Sequence, residues 1–193
     1  ILFLIHVEYS HHMSELLKRT ADINQPRGLT LILTQDRALK SKTDLIAALI
    51  LRGPLFVLSA DEWLPSFALP TLIFAHTIQV KETMRGLRTV RASTCYRLLD
   101  SLSSVPARGE PMLVLDFLHT FYDPDIRLAS RLMTLRGCCH HLKRIAFYRP
   151  VILMAQEMRV ADYDKFLPIL LSIAEKTLYL EPDHERVAQP ALF

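Results

Sequence analysis

The chain has 193 residues, half of them hydrophobic and 22% charged, a globular composition that excludes an intrinsically disordered segment as the main feature. That length suits one domain with a substantial core and is short for two. The net charge of +3 is too small to imply an anionic partner on its own, and five glycines fall well below the roughly 7% usual in proteins.

Residues 1–27 read as a lead-in: an apolar run Ile1–Val7, a short amphipathic helix over Ser10–Ala21, then Gln25-Pro26-Arg27. Ile1–Val7 is far shorter than the ~20 residues of a membrane-spanning helix and lacks the basic flank and small-residue cleavage site of a signal peptide. The chain begins with Ile rather than Met, so residues upstream are left open. Three cysteines, an odd number with Cys138 and Cys139 adjacent, make no disulfide framework, so a reducing, cytoplasmic location without membrane contact is expected.

From Leu29 onward, apolar runs alternate with helical patterns, the signature of a parallel α/β sheet. Strands are predicted at Leu29–Thr34, Leu55–Leu58, Leu87–Arg91, Met112–Asp116, Val151–Ala155 and Thr177–Leu180. Several are continuous apolar runs, as expected where helices cover both faces of a sheet. Helices are predicted from Ser41 or Asp44 to Leu51, over Thr94–Leu102, over Ile126–Phe147, and over Tyr163–Ala174 with a kink near Pro168. Residues 28–181 thus form a three-layer α/β/α domain with a mostly parallel sheet. Residues 182–193 lose periodicity and read as a tail.

Two segments carry candidate chemistry. Asp36-Arg37-Ala38-Leu39-Lys40-Ser41-Lys42-Thr43 lies between a strand and a helix and has the frame of a phosphate-binding loop, G-x-x-x-x-G-K-[ST]. Lys42 and Thr43 keep the ending that contacts phosphate and Mg²⁺, at a helix start that favours anions. Both glycines are gone: Ser41 adds a Cβ where backbone would meet phosphate, and Asp36 adds a repelling carboxylate. A Ser-Lys-Thr run is also an ordinary capped helix start. The second segment, Met112-Leu113-Val114-Leu115-Asp116, is an apolar strand ending in aspartate, the pattern of a Walker B strand whose carboxylate supports Mg²⁺ or its water. An Asp in that place also caps a turn, but its separation from Lys42 by two strand–helix units makes the pair more specific than either segment.

From about Gly28 to Leu180 the chain resembles the RecA-like recombinase family, in its archaeal and eukaryotic strand-exchange branch and the paralogues that assist it. The resemblance rests on Thr89-Val90-Arg91-Ala92-Ser93-Thr94 leading into a helix, on Leu113–Asp116 through Phe121-Tyr122-Asp123, on the Leu- and Arg-rich run from Leu128 to Ala146, and on Val151-Ile152-Leu153-Met154-Ala155-Gln156. It implies ATP and Mg as cofactors, with Ser41, Lys42, Thr43, Asp116 and Gln156 binding nucleotide, Thr43 and Asp116 holding Mg, and Gln156 sensing the γ-phosphate. Asp61 or Glu62, after the second strand, stands nearest the family's catalytic glutamate, though neither occupies its position unambiguously. The segment after Gln156 is short, from Glu157 to Asp162 with one arginine, Arg159, too little to thread DNA as a recombinase does.

Three other features have a structural and a functional reading. Cys138 and His141 lie three apart on a helix and could share a metal, yet the second ligand pair of a zinc site is missing, which favours buried thiols with histidines at the rim. Trp63 and Tyr122 suit base stacking or plain packing. Arg127, Arg131, Arg136, Lys143 and Arg144 suggest a solvent-facing basic stripe for DNA or merely a solvated face. Together these features lead us to expect a RecA-fold, paralogue-like protein with a degenerate nucleotide site. Such a protein would be a non-hydrolysing binding or assembly subunit with a protein partner or a second copy, linked to DNA recombination or repair. The alternative is a divergent ATPase using Lys42, Thr43, Asp116 and Asp61 or Glu62.

Overall fold

The computed structural model describes residues 27–34, 39–60, 68–157 and 162–180. The expected N-terminal helix and tail, Asp36, Asp61, Glu62, Trp63, Arg159 and the side chain of Ser41 lie outside the described residues.

Among the described residues six strands, β1 Gly28–Thr34, β2 Leu55–Ser59, β3 Leu87–Arg91, β4 Met112–Leu115, β5 Pro150–Gln156 and β6 Lys176–Leu180, form one parallel sheet in the order β3-β2-β4-β5-β1-β6. All six coincide with a predicted run to within two residues at each end. The central strands are apolar throughout because both faces are covered: every residue of β2 and of β4 is buried.

Among the described residues six helices flank the sheet: α1 Leu39–Ile50, α2 Ala68–Phe74, α3 Val80–Arg85, α4 Cys95–Ser104, α5 Leu128–Ala146 and α6 Tyr163–Leu171. Right-handed crossovers decide which face each one covers. The connections from β1 to β2 and from β2 to β3 run toward the β3 edge, and those from β3 to β4, β4 to β5 and β5 to β6 run the other way. Accordingly, α1 and α2 share one apolar layer with Val57, Leu113, Leu115 and Ile152, with Met84 of α3 packed against it. Leu98 and Leu102 of α4, Leu135 and Leu142 of α5, and Phe166 of α6 pack against Leu31, Val114 and Leu153 on the opposite face. No described helix is long and apolar enough to cross a membrane.

Two helices escaped the sequence pattern. α2 has seven residues, with Leu69 and Ile73 as its buried pair and Pro70 in the first turn, where a missing N–H costs nothing. α3 has six and buries none, so it carries no apolar stripe to detect. The long helix is trimmed to Leu128–Ala146, and the last helix stops at Leu171 rather than Ala174, running through Pro168. Thr94 caps α4, its hydroxyl accepting from the Arg97 amide at 3.2 Å.

Candidate functional site

The crossover directions reverse between β1 and β5, and in a parallel sheet the crevice beyond the carboxyl ends of such strands is where ligands bind. Thr34 and Gln156 end these two strands as register partners, and the Glu157 amide donates to the Thr34 carbonyl at 2.7 Å. Ser59 ends β2 at the same edge and is buried.

α1 enters this crevice from the β1 side. Its first residue is Leu39, so only residues 35–38 separate strand from helix. The helix was expected to start at Ser41 or Asp44. It starts earlier because Leu39 and Lys40 are strong helix formers, and no glycine interrupts the run. Positions that form an open loop in a phosphate cradle are thereby wound into a first turn.

Lys42 and Asp116, 74 residues apart in sequence, meet here: the Lys42 ammonium donates to Asp116 Oδ1. Both residues are buried, at 6% and 5% exposure, so each charge depends on the other rather than on water. Thr43 is buried beside them in sequence at 5%. Asp116 leaves β4 with φ at +53°, in the left-handed region that few non-glycine residues adopt. The surrounding backbone fixes that conformation. The Ala60 amide donates to Leu115 O at 3.0 Å, Phe117 N to Met154 O at 3.0 Å, and His119 N to Asp116 O at 2.8 Å. Strand β4 therefore ends at Leu115, one residue before the predicted end, because Asp116 turns out of the sheet.

Several hydroxyls gather near this end of the sheet without a hydrogen-bond partner among the described residues: Thr34 Oγ1, Thr120 Oγ1 and the phenols of Tyr122 and Tyr163. Burial pushes the Tyr122 phenol well above the ordinary tyrosine range and Tyr163 up to about 12, so both stay protonated. Tyr122 packs on Phe166 with ring centres 5.8 Å apart, which gives its ring a place in the core rather than an open stacking face.

Three of the five cations considered for a basic stripe on α5 are exposed, and two are engaged in packing. Arg131 is buried at 8% exposure, donating to the Phe121 carbonyl at 3.0 Å and pairing with Asp162 at 2.9 Å. Arg144 donates to the carbonyls of Leu102 and Val105 at 3.1 and 2.9 Å, satisfying the C-terminal end of α4. Arg127, Arg136 and Lys143 are exposed. Two of the five cations thus stitch elements together: Arg144 satisfies carbonyls that end α4, and Arg131 links the Phe121 carbonyl to the Asp162 carboxylate.

Cys138 and Cys139 are buried, His140 is exposed and His141 is half-buried. Burial raises the Cys138 thiol far above its ordinary range and Cys139 to about 12, the opposite of what a metal thiolate needs. No group of three or more metal-ligating side chains occurs among the described residues.

The residues at the crevice do not fit a Mg–triphosphate as they stand. Lys42 is already bonded to Asp116, Thr43 has almost no exposed surface, and the helix starts inside the would-be cradle. A cavity of about 220 Å³ lies at the amino ends of β2, β4 and β5, walled in part by Gly53, Pro54, Pro111 and Pro150 and not by the crevice residues. No family model matches the chain, and no curated protein matches it.

The sequence did not single out Thr34 and Ser59, which enter the crevice through strand register; only the polar residue closing each apolar run signalled them. Nothing in the sequence signalled the positive φ of Asp116.

Proposed function

We propose that the chain is a RecA-like, recombinase-paralogue-like protein whose nucleotide site has become a structural ion pair. It acts as a binding or assembly subunit rather than as an ATPase. The observation that carries this is the buried Lys42–Asp116 pair at the switch point of a parallel sheet, with α1 beginning at Leu39. A lysine that serves phosphate must be available to it. Here its ammonium is bonded to a buried carboxylate, and separating the two inside a low-dielectric crevice is costly. The missing glycines supply the other half: the sequence has Asp36 and Ser41 at the positions where glycine lets amides approach phosphate. The link to DNA recombination or repair follows from the resemblance alone, and a protein partner or second copy is the expected route of action.

The competing reading, a divergent ATPase, is favoured by one observation: Lys42, Thr43 and Asp116 occupy neighbouring positions at the right edge of the sheet. Titration calorimetry with ATP and Mg²⁺, followed by phosphate release, separates the two. Our reading expects no binding below the millimolar range and no turnover. Micromolar binding with hydrolysis that Lys42→Ala abolishes would replace it with the ATPase.

A further inference from the structure

The amino end of the sheet, opposite the crevice, carries a second candidate site. There α5 ends and β5 begins, and Phe147 and Tyr148 stand out of the surface at 63% and 48% exposure. Large exposed aromatics side by side are unusual on a surface with nothing to bind. Their rings meet at 5.0 Å with planes 82° apart. Each ring has an exposed guanidinium near it: Arg27 lies 5.8 Å from the centre of Phe147, and Arg108 lies 5.5 Å from that of Tyr148. Lys143, one turn back on α5, adds a further exposed cation.

The cavity, whose wall includes Leu49, Leu55 and Ile152, lies in the layer on the opposite face of the sheet from α5 and is no part of this patch. The carboxylates at this end are few. Glu110 is held by Arg88 at 2.8 Å, and Glu175 lies beside Gly28.

We infer that this end of the sheet docks an acidic peptide segment of a partner protein, its apolar side chains packing on Phe147 and Tyr148 and its carboxylates meeting Arg27 and Arg108. Aromatic and arginine side chains are what protein interfaces concentrate at their centres. A guanidinium held over a ring still presents its fork of donors to a carboxylate. A single-stranded nucleic acid fits less well. Its bases need parallel ring faces in succession, whereas these two rings cross nearly at right angles and each has a guanidinium over it.

The test selects a random 16-residue phage-displayed peptide library on the immobilised full chain, then measures the recovered peptides and a labelled 20-residue oligothymidylate by fluorescence anisotropy. The selected peptides are expected to be net negative and to contain a large apolar residue. Arg27→Glu/Arg108→Glu should weaken them roughly tenfold, as should Tyr148→Ser, without lowering the melting temperature. Selection repeated on the charge-reversed variant should yield basic peptides. The inference is overturned by peptides with no acidic bias, by affinity unchanged in the variants, or by failure to select any peptide. Tighter binding of the oligothymidylate, lost in the same variants, would make this end a nucleic-acid surface instead. A dimer in sedimentation dispersed by those substitutions would make it a self-association face.

Discussion

Replacing Lys42 by Met tests whether the crevice pair is a structural element. The substitution keeps the length and apolar stem of the side chain and removes the ammonium. Asp116 then remains buried at 5% exposure without its counter-charge. Breaking a buried pair in this way costs about 3–5 kcal/mol, a large part of the ~5–15 kcal/mol that stabilises a domain. At about 2–4 °C per kcal/mol for a chain of this size, the melting temperature should fall by roughly 6–20 °C. Asp116→Asn should cost a similar amount by stranding Lys42, and it does so cleanly, because asparagine tolerates the left-handed backbone at φ +53°. The double variant Lys42→Met/Asp116→Asn leaves no unpaired charge, only an amide whose unmet hydrogen bonds cost about 1–3 kcal/mol. It should therefore be at least as stable as either single variant. Thermal and urea unfolding of the four proteins read this directly as a coupling energy. Losses under about 1 kcal/mol that simply add would place the pair in the class of solvent-screened surface bridges, and the crevice would be open to anions after all.

Four further outcomes are expected. All three cysteines are buried, so a thiol reagent should label none in the folded protein and three on denaturation; rapid labelling of Cys139 under native conditions would contradict its thiol being raised to about 12. Burial first, then Arg144 and His140, lowers the His141 pKa in the fold, so its stabilising contribution is complete above the unfolded value near 6.5 and is lost as pH falls through the lower folded value. The urea midpoint should accordingly drop between pH 7.5 and 5, and His141→Gln should flatten that slope. Arg131→Ala should reduce stability by about 2–5 kcal/mol through the loss of its Phe121 and Asp162 contacts, and an unchanged melt would return this residue to the surface. Gly28→Ala should lower stability by at least about 1 kcal/mol, since φ is +118° and a Cβ there would lie 2.5 Å from a Glu175 oxygen; a neutral effect would show that Glu175 moves away without cost.

What the sequence revealed of the fold tracks burial. The runs Leu29–Thr34 and Met112–Leu115 are apolar at every step or nearly so because helices cover both faces, and such runs are conspicuous on a page. α2 and α3 are short and rest on two or no buried side chains, which leaves no periodic signal to read. The stripe of cations on α5 misled for a related reason. Helical spacing tells which residues share a face, but the side chain of Arg131 reaches to the Asp162 carboxylate and that of Arg144 to the carbonyls that end α4. That need belongs to tertiary structure and is written at other positions in the chain.

The crevice was legible in part for a deeper reason. Lys42-Thr43 and Leu115-Asp116 announce themselves locally, and strand order brings them together. What decides between a nucleotide site and a structural pair is the stretch between β1 and Lys42, where glycine would hold the chain open and Leu39-Lys40-Ser41 wind it into helix. On the reading proposed above, the same replacement acts twice: it would take away amides that cradle phosphate, and it brings the Lys42 side chain to a carboxylate fixed by its turn out of β4. Restoring glycine at position 41 alone would therefore not restore a phosphate cradle, since Leu39 and Lys40 would still favour the helix and Asp116 would still hold Lys42. Substitution of 36–41 toward a glycine-rich loop together with Asp116→Asn is the smallest change that should admit a phosphate. If Ser41→Gly alone produced micromolar triphosphate binding in calorimetry, the helical start of α1 would be a consequence of the missing glycine and not an independent barrier.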